Sequence, residues 1–274
     1  MEYIKPSSLI EALKCLASDS YTVVAGGTDF YPSRQTGAIQ TSILDVSCVP
    51  EMLGITRSGN GWRIGGAASW SDINRADMPQ PFLGLKAAAA RVGGLQVQNA
   101  GTVAGNLCNA SPAADGVPPL LTLDAEVEIS SVRGSRKLSL EQFITGVRKT
   151  DLSEDELVTA ILLPDPPSHT LGAFEKLGSR SYLVISIVMT ASIIGLDQSG
   201  RIDFARIALG ACSPVAQRLK VLEADILGKT LDQVKVTQEH LTQLSPISDV
   251  RATADYRLKV AAIQCQRAIL AAGG

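Results

Sequence analysis

Hydrophobic and polar residues follow two different periods along this chain, one helical and one typical of strands. Near the start, apolar residues recur every three or four positions, which predicts a helix that begins at Ser7 or Ser8 and runs to about Ala17. The residues of its apolar face are Leu9, Ala12, Leu13 and Leu16. The apolar run at 21–24 is typical of a buried strand, and it leads directly into a glycine turn.

Alternating patterns with short helical segments between them follow from residue 53 onward. Two alternating runs flank residues 58–61, which predicts a hairpin, and Ser69 is a candidate cap for a short helix. Further strands are predicted at 42–46, 125–129, 157–163 and 202–209, and helices at 82–92, 140–146, 217–227 and 254–271. The apolar segment 183–196 fits either a strand or a buried helix.

Composition and charge narrow the classes of protein to which the chain can belong. Hydrophobic residues make up 45% of the 274 residues and charged residues 19%, which is typical of a globular protein. The net charge of −2 offers no basic surface for nucleic acid, and no apolar run reaches the length of about 20 residues that a membrane span needs. The N-terminus lacks the pattern of a signal peptide, so we expect a cytoplasmic protein. The segment 164–168, with three prolines, is the best candidate for a domain boundary.

Metal binding and histidine-based catalysis have little support in the sequence. The cysteines are scattered and odd in number, which argues against a disulfide framework and against a zinc or iron–sulfur site on this chain. They are Cys15, Cys48, Cys108, Cys212 and Cys265, and each is expected to be a small buried residue or an inert thiol. The two histidines, His169 and His240, are expected at the surface. We therefore assign no metal ligands and no catalytic side chain.

Two glycine-rich stretches are the strongest candidates for a binding site. The stretch 101–115 is long and polar, and it reads as an irregular loop; such loops in compact domains are usually functional. The stretch 25–29 is a shorter turn after a strand. Consecutive backbone N–H groups in such turns can bind an anion. Because neither stretch contains lysine or arginine, phosphate binding would fall to backbone amides and hydroxyls that approach closely at Gly26, Gly27 and Gly105.

Neither stretch matches a familiar nucleotide motif. No Gly-Lys-Ser/Thr follows, as in a Walker A loop, and the Gly-x-Gly-x-x-Gly pattern of a Rossmann fold is absent. A dinucleotide would therefore bind in another fold. From the pattern alone, Lys176 is a solvated lysine on an alternating segment, and Val158 is ordinary strand core.

Four motifs in order give the chain its resemblance to a known family. They are VVAGGTD at 23–29, ASPAAD at 110–115, GVRKT at 146–150 and SDVRATADYR at 248–257. Together they resemble the FAD-binding medium subunit of the molybdenum hydroxylases, the family of xanthine dehydrogenase and carbon monoxide dehydrogenase, nearly end to end.

The resemblance implies an α+β fold in two domains. The first, at 1–168, would be a two-part FAD-binding domain of the vanillyl-alcohol-oxidase (PCMH-like) type, with halves at about 1–52 and 53–168. The second, at 169–274, would be a smaller α+β C-terminal domain of the molybdenum-hydroxylase flavoprotein type. FAD would bind non-covalently, because no histidine stands where a flavin link is expected.

The resemblance also implies the residues that contact FAD. The first stretch would wrap the pyrophosphate, the second would add phosphate contacts, and three further residues would touch the cofactor. They are Thr22, Val23, Val24, Ala25, Gly26, Gly27, Thr28 and Asp29; Thr102, Val103, Ala104, Gly105 and Asn106; and Asp115, Val158 and Lys176. Ala104 stands where the family commonly has a second glycine, which narrows the approach to phosphate.

The leading hypothesis is an electron-transfer subunit of a molybdenum hydroxylase. A large molybdopterin-binding partner and a small partner with [2Fe-2S] clusters would deliver electrons to FAD on this chain, which would reduce NAD, a quinone or oxygen. One alternative is a free-standing flavin-dependent reductase or oxidase of the same fold, which would need its own proton donor. Another is an assembly module without cofactor, for which Ala104 is the supporting residue.

Overall fold

A small parallel sheet with one helix begins the fold. The computed structural model describes residues 2–34 and 40–274 of the chain. Strands β1 (Tyr3–Ile4), β2 (Thr22–Val24) and β3 (Ile43–Asp45) pair in the order β1-β3-β2, and helix α1 (Leu9–Ser18) connects β1 to β2. Ser8 caps α1 by accepting a hydrogen bond from the amide of Glu11 at 3.2 Å, which confirms the predicted helix start.

A five-stranded antiparallel sheet forms the middle of the molecule. Along the chain its strands are β4 (Ile55–Arg57), β5 (Gly61–Gly65), β6 (Glu126–Ser131) and β7 (Gly134–Ser139), then the separate pair β8 (Ile144–Gly146) and β9 (Lys149–Thr150), and finally β10 (Leu157–Pro164). The five strands lie in the order β4-β5-β10-β6-β7. The β4–β5 hairpin confirms the turn predicted at 58–61.

Short helices contribute many residues to the apolar core beside this sheet. They are α2 (Trp70–Arg75), α3 (Leu83–Ala89), α4 (Leu95–Ala100), α5 (Val103–Asn109), α6 (Val117–Thr122) and α7 (Leu140–Phe143). Ser69 caps α2 in a reciprocal capping box with Asp72, as its position predicted. The expectation that 101–115 is an irregular loop is wrong, because α5 occupies its first half and α6 follows directly after it.

A second antiparallel sheet carries the C-terminal part. Its strands are β11 (Thr170–Leu177), β12 (Val188–Leu196), β13 (Ile202–Gly210) and β14 (Gln217–Arg218), and helices α8 (Lys220–Ile226) and α9 (Ala254–Gly273) complete this part. Short 3-10 turns lie at Pro50–Met52, Gln80–Phe82, Leu231–Gln233 and Gln238–Leu241. The segment 183–196, left open between strand and helix, is a strand from Val188 onward. Helix α9 packs across β11 and β12.

The two larger sheets meet through helices, so residues from both parts of the chain come close together. Helix α6 contacts β12 and β13, and α3 contacts β11. Among the described residues, no helix is both long and apolar enough to span a bilayer. The surface position expected for His240 is wrong: its side chain is only 9% exposed, and its Nδ1 atom accepts the amide of Thr237 at 3.0 Å. His169 is partly exposed beside Asp203, as expected.

Candidate functional site

The two glycine-rich stretches, distant in sequence, touch each other through their backbones. A Cβ atom added at Gly26 would collide with the carbonyl group of Ala100, and one added at Gly101 would lie 3.2 Å from the Oγ1 atom of Thr28. Gly26 is therefore needed for the contact between the stretches, and its approach to a phosphate stays a prediction. The contact sets both stretches on the wall of one cleft.

This cleft is a cavity of about 510 Å³, within the usual size range for ligand sites. The residues that line it include most of both predicted stretches. They are Val23, Val24, Ala25, Gly26, Gly27, Thr28, Asp29, Phe30, Ser33, Trp70, Val92, Val97, Gly101, Thr102, Gly105, Asn106, Cys108, Asn109 and Arg148. Thr22 lies just outside, as the first residue of β2.

The first stretch presents unpaired backbone donors. In the described part of the chain, the four amides from Gly26 to Asp29 have no acceptor, although the carbonyl groups of Gly27 and Asp29 accept the amides of Tyr31 and Ser33 at 3.1 Å. Gly27 has a φ of +66°, a conformation that glycine adopts without steric cost. Buried or half-buried amides normally find a partner, so a run of four free donors at a cavity wall indicates a site for an anionic or otherwise acceptor-rich group.

Three of the five amides at 102–106 are paired within the protein, and those of Thr102 and Ala104 have no acceptor among the described residues. Thr102 caps α5: its Oγ1 accepts the amide of Gly105 at 3.0 Å, and its carbonyl accepts the amide of Asn106 at 3.1 Å. The amide of Val103 donates to the carbonyl of Ala68 at 3.0 Å. Val103 and Ala104 turn their side chains into the apolar core, away from the cavity. Asn106 faces the cavity, and its Oδ1 atom is buried without a hydrogen-bond partner within residues 2–34 and 40–274.

Arg148 is a cavity residue that the sequence reading missed. It lies after β8 with a φ of +57°, and its guanidinium contacts the carbonyl and side-chain oxygens of Asn109 at the C-terminal end of α5. Among the described residues that line the cavity, it is the one cation. Arg148 thus places a positive charge beside the two stretches, which themselves contain no lysine or arginine. Its place in the GVRKT motif is the signal that could have identified it.

Asp115 and Lys176 meet each other, but neither lines the cavity. Lys176 Nζ lies 2.6 Å from Asp115 Oδ2, and the hydroxyl of Ser186 donates to Asp115 Oδ1 at 2.5 Å. With 7% of its side chain exposed, Lys176 is not the solvated lysine that its pattern indicated. Burial raises the pKa of the Asp115 carboxyl, and the neighbouring Lys176 ammonium opposes this shift. Asp115 thus links Lys176, near the end of β11, to Ser186, in the segment before β12.

Val158 lies apart from the other predicted site residues. It is on β10, 3% exposed, and pairs with Ile129 of β6, as expected for strand core. Its carbonyl oxygen lies so close to Gly66 that a Cβ atom there would collide with it. Contact between FAD and Val158, Asp115 or Lys176 stays a prediction.

Family models match nearly the whole chain. Residues 1–166 match the FAD binding domain in molybdopterin dehydrogenase, and residues 173–272 match the CO dehydrogenase flavoprotein C-terminal domain. The xanthine dehydrogenase FAD-binding subunit of Escherichia coli O157:H7 is 31% identical over 99% of this chain and 97% of its own length. The glyceraldehyde dehydrogenase medium chain of Sulfolobus acidocaldarius is 30% identical over 97% of this chain and 96% of its own.

Solved structures have the same fold over the full length. The carbon monoxide dehydrogenase of Hydrogenophaga pseudoflava that lacks the Mo-pyranopterin moiety gives a TM-score of 0.88 at 27% identity, covering 100% of this chain and 96% of that one. The reconstituted CO dehydrogenase of Oligotropha carboxidovorans gives a TM-score of 0.90 at 23% identity, covering 100% and 97%. The two-domain α+β flavoprotein fold expected from the resemblance is confirmed.

Proposed function

The chain belongs to the FAD-binding subunit family of the molybdopterin dehydrogenases, and from this premise we propose that it holds FAD non-covalently in the cavity between its two glycine-rich stretches. We propose further that it works as the electron-transfer subunit of a molybdenum hydroxylase. The observation that supports the site is the run of four unpaired amides from Gly26 to Asp29 at the cavity wall.

The residues present fit the pyrophosphate and sugar groups of FAD. The free amides of the first stretch would donate to phosphate oxygens, and the hydroxyl of Thr28 lies on the same wall. Arg148 would supply the positive charge that a diphosphate needs, because hydrogen bonds to charged groups are the stronger ones. Asn106 would contribute the exposed part of its side chain to the opposite wall. Thr102 and Gly105 would complete the opposite wall.

In the proposed complex this chain binds and positions the cofactor. When bound, FAD accepts electrons and passes them on to an acceptor, and that chemistry belongs to the flavin itself. The electrons would come from [2Fe-2S] clusters on a small partner and from a molybdenum cofactor on a large one, and would leave to NAD, a quinone or oxygen. The chain's own residues exclude water from the buried part of the site and hold the diphosphate. We also propose a domain boundary between residues 168 and 169. We further propose that the protein is cytoplasmic.

Titration of the FAD-free chain with three flavins tests the site. We expect stoichiometric binding of FAD, visible as blue-region absorbance and quenched flavin fluorescence, and much weaker binding of FMN and riboflavin. FMN keeps the flavin ring but has one phosphate and no adenosine, so preference for FAD measures the diphosphate contacts. No flavin absorbance at excess FAD would overturn the proposal in favour of an assembly module without cofactor.

Native purification tests the complex. Copurification with a molybdopterin-containing large chain and an iron–sulfur small chain is the expected result, with electron transfer to an added acceptor that depends on all three. A lone chain that turns over a substrate with its bound flavin would instead establish the free-standing reductase or oxidase. Among the residues described as lining the cavity, the acidic side chain is Asp29, which would then be the first candidate for a proton donor.

A further inference from the structure

Backbone strain is concentrated at one place beside the cavity. The described residues contain five non-glycine positions with positive φ, and three of them are neighbours: Ala110 at +45°, Arg148 at +57° and Ala211 at +63°. Non-glycine residues adopt this conformation only where surrounding contacts hold them, and such residues cluster at functional sites. Ala211 directly follows β13 of the C-terminal sheet, whereas Ala110 ends α5 and Arg148 lies in the turn between β8 and β9.

Backbone hydrogen bonds join these three residues into one network. The amide of Arg148 donates to the carbonyl of Ala110 at 2.9 Å, and the amide of Ala211 donates to the carbonyl of Pro112 at 2.9 Å. Pro112 follows Ala110 by two residues, so the short segment between them is held from both sides. The network ends at the guanidinium of Arg148 on the cavity wall, in contact with Asn109.

Arg257 holds the far end of this network. It lies one turn into α9 and is 3% exposed. Its Nη1 atom donates to the carbonyls of Ile187 at 2.6 Å and Ala211 at 3.1 Å, and its Nη2 atom donates to Asp249 Oδ1 at 2.8 Å. A buried cation near a helix N-terminus is unfavourable for both its desolvation and the helix dipole, so these contacts must offset a real cost. The carbonyl of strained Ala211 is one of them.

We infer that Arg257 is a positioning residue for the cofactor site: through Ala211 and the 110–112 segment, it holds Arg148 in its left-handed conformation at the cavity wall. A second cavity of about 310 Å³ is lined by both Arg148 and Arg257. We infer that Arg257 acts on Arg148 through the backbone hydrogen bonds described above and not by direct contact. The inference rests on the FAD site proposed above. The inference goes beyond that site, because it states that Arg257, a residue of the C-terminal helix α9, affects the affinity for FAD.

A double-mutant cycle on the full chain tests this inference. Arg257→Met is expected to weaken FAD binding about tenfold, in the range seen for residues coupled through one network. Arg148→Asn removes the cation while asparagine still tolerates positive φ. If Arg257 acts through Arg148, the double variant binds FAD no more weakly than Arg148→Asn alone. Losses that simply multiply would show that Arg257 supports the fold in general and would overturn the inference.

Two further variants keep the test valid if Arg257→Met folds poorly. Ala211→Gly in the Arg257→Met background is expected to restore FAD affinity, because glycine adopts positive φ without being held there. Arg251→Gln is the matched control: Arg251 also pairs with Asp249, at 3.0 Å, but contacts neither Ile187 nor Ala211, and its loss should leave FAD affinity unchanged. Failure of glycine to rescue a folded Arg257→Met chain would count against the inference.

The outcomes separate this inference from the proposed function. A wild-type chain that binds no FAD contradicts the function itself. A wild-type chain that binds FAD, loses it on Arg148→Asn and keeps full affinity on Arg257→Met supports the function and overturns the inference alone.

Discussion

The two glycine-rich stretches look alike in sequence, but they use their backbone amides differently. In the described part of the chain, the stretch 25–29 leaves four consecutive donors unpaired at the cavity wall, whereas 102–106 pairs three of its five amides, two of them with the cap residue Thr102. The first stretch therefore offers a continuous run of backbone donors, whereas the second offers only the separate amides of Thr102 and Ala104. The comparison teaches that glycine content identifies where backbones come close, and that the hydrogen-bond inventory decides which backbone is free for a ligand.

The largest expected effect comes from breaking the contact between the stretches. Gly26→Ala places a Cβ atom against the carbonyl of Ala100, which cannot yield without moving α4. We expect destabilisation of roughly 1–3 kcal/mol, as for other overpacked sites, together with loss of FAD. Urea denaturation and flavin content measure both. Gly146→Ala is the control, because its Cβ would meet nothing closer than 3.8 Å; unchanged stability in Gly26→Ala would refute the contact.

The second-largest effect is expected from removing the positive charge of Arg148 at the cavity wall. Arg148→Asn should raise the Kd for FAD roughly 10- to 150-fold, which corresponds to the 1.5–3 kcal/mol typical of a charged hydrogen bond. The melting temperature should change little, because Arg148 is exposed. Lys149→Ala, which removes a neighbouring charge outside the cavity lining, is the matched control. Equal losses from both variants would mean that general electrostatic attraction, and not a contact, is responsible.

A smaller effect tests whether the second stretch is indeed a capped helix. Thr102→Val keeps the shape of the side chain but removes the oxygen that accepts the amide of Gly105, which should cost about 1 kcal/mol of stability. Thr102→Ser retains the cap and should behave like the wild type. Chemical denaturation gives the comparison. If Thr102→Val loses FAD with no loss of stability, the hydroxyl serves the ligand and the contrast between the stretches fails.

The smallest expected effect is a loss of stability at low pH, in the sheet on which α5 packs. Hydrogen bonds from Arg136 lower the pKa of Glu156, next to the start of β10, to about 2. A carboxyl whose pKa is lowered on folding stabilises the protein above its unfolded pKa, and this contribution disappears as the pH falls towards 2. Arg136→Gln should therefore lose stability at a higher pH than the wild type. Urea midpoints at several pH values provide the measurement, and overlapping profiles would contradict the assignment.

Local signals in the sequence predicted local structure well. Ser8 and Ser69 marked helix starts, and the turn at 58–61 marked a hairpin, because capping and turn chemistry act within a few residues. The helix in the second stretch was missed because Gly101 and Gly105 favour a loop by propensity, while Thr102 and packing on Ala68 override it. Arg148 and Arg257 were missed for another reason: their roles depend on segments that meet only in the folded chain.

Trp70 makes binding in the cavity measurable by tryptophan fluorescence. It is 1% exposed and lines the cleft beside Gly101, whereas the chain's other tryptophan, Trp62, lines a separate groove with Pro164. In the proposed complex Trp70 lies at the wall of the FAD site, so energy transfer to the bound flavin should quench its emission. Occupancy of the native, unlabelled chain can thus be followed from its own ultraviolet emission, with a Trp70→Phe chain supplying the baseline.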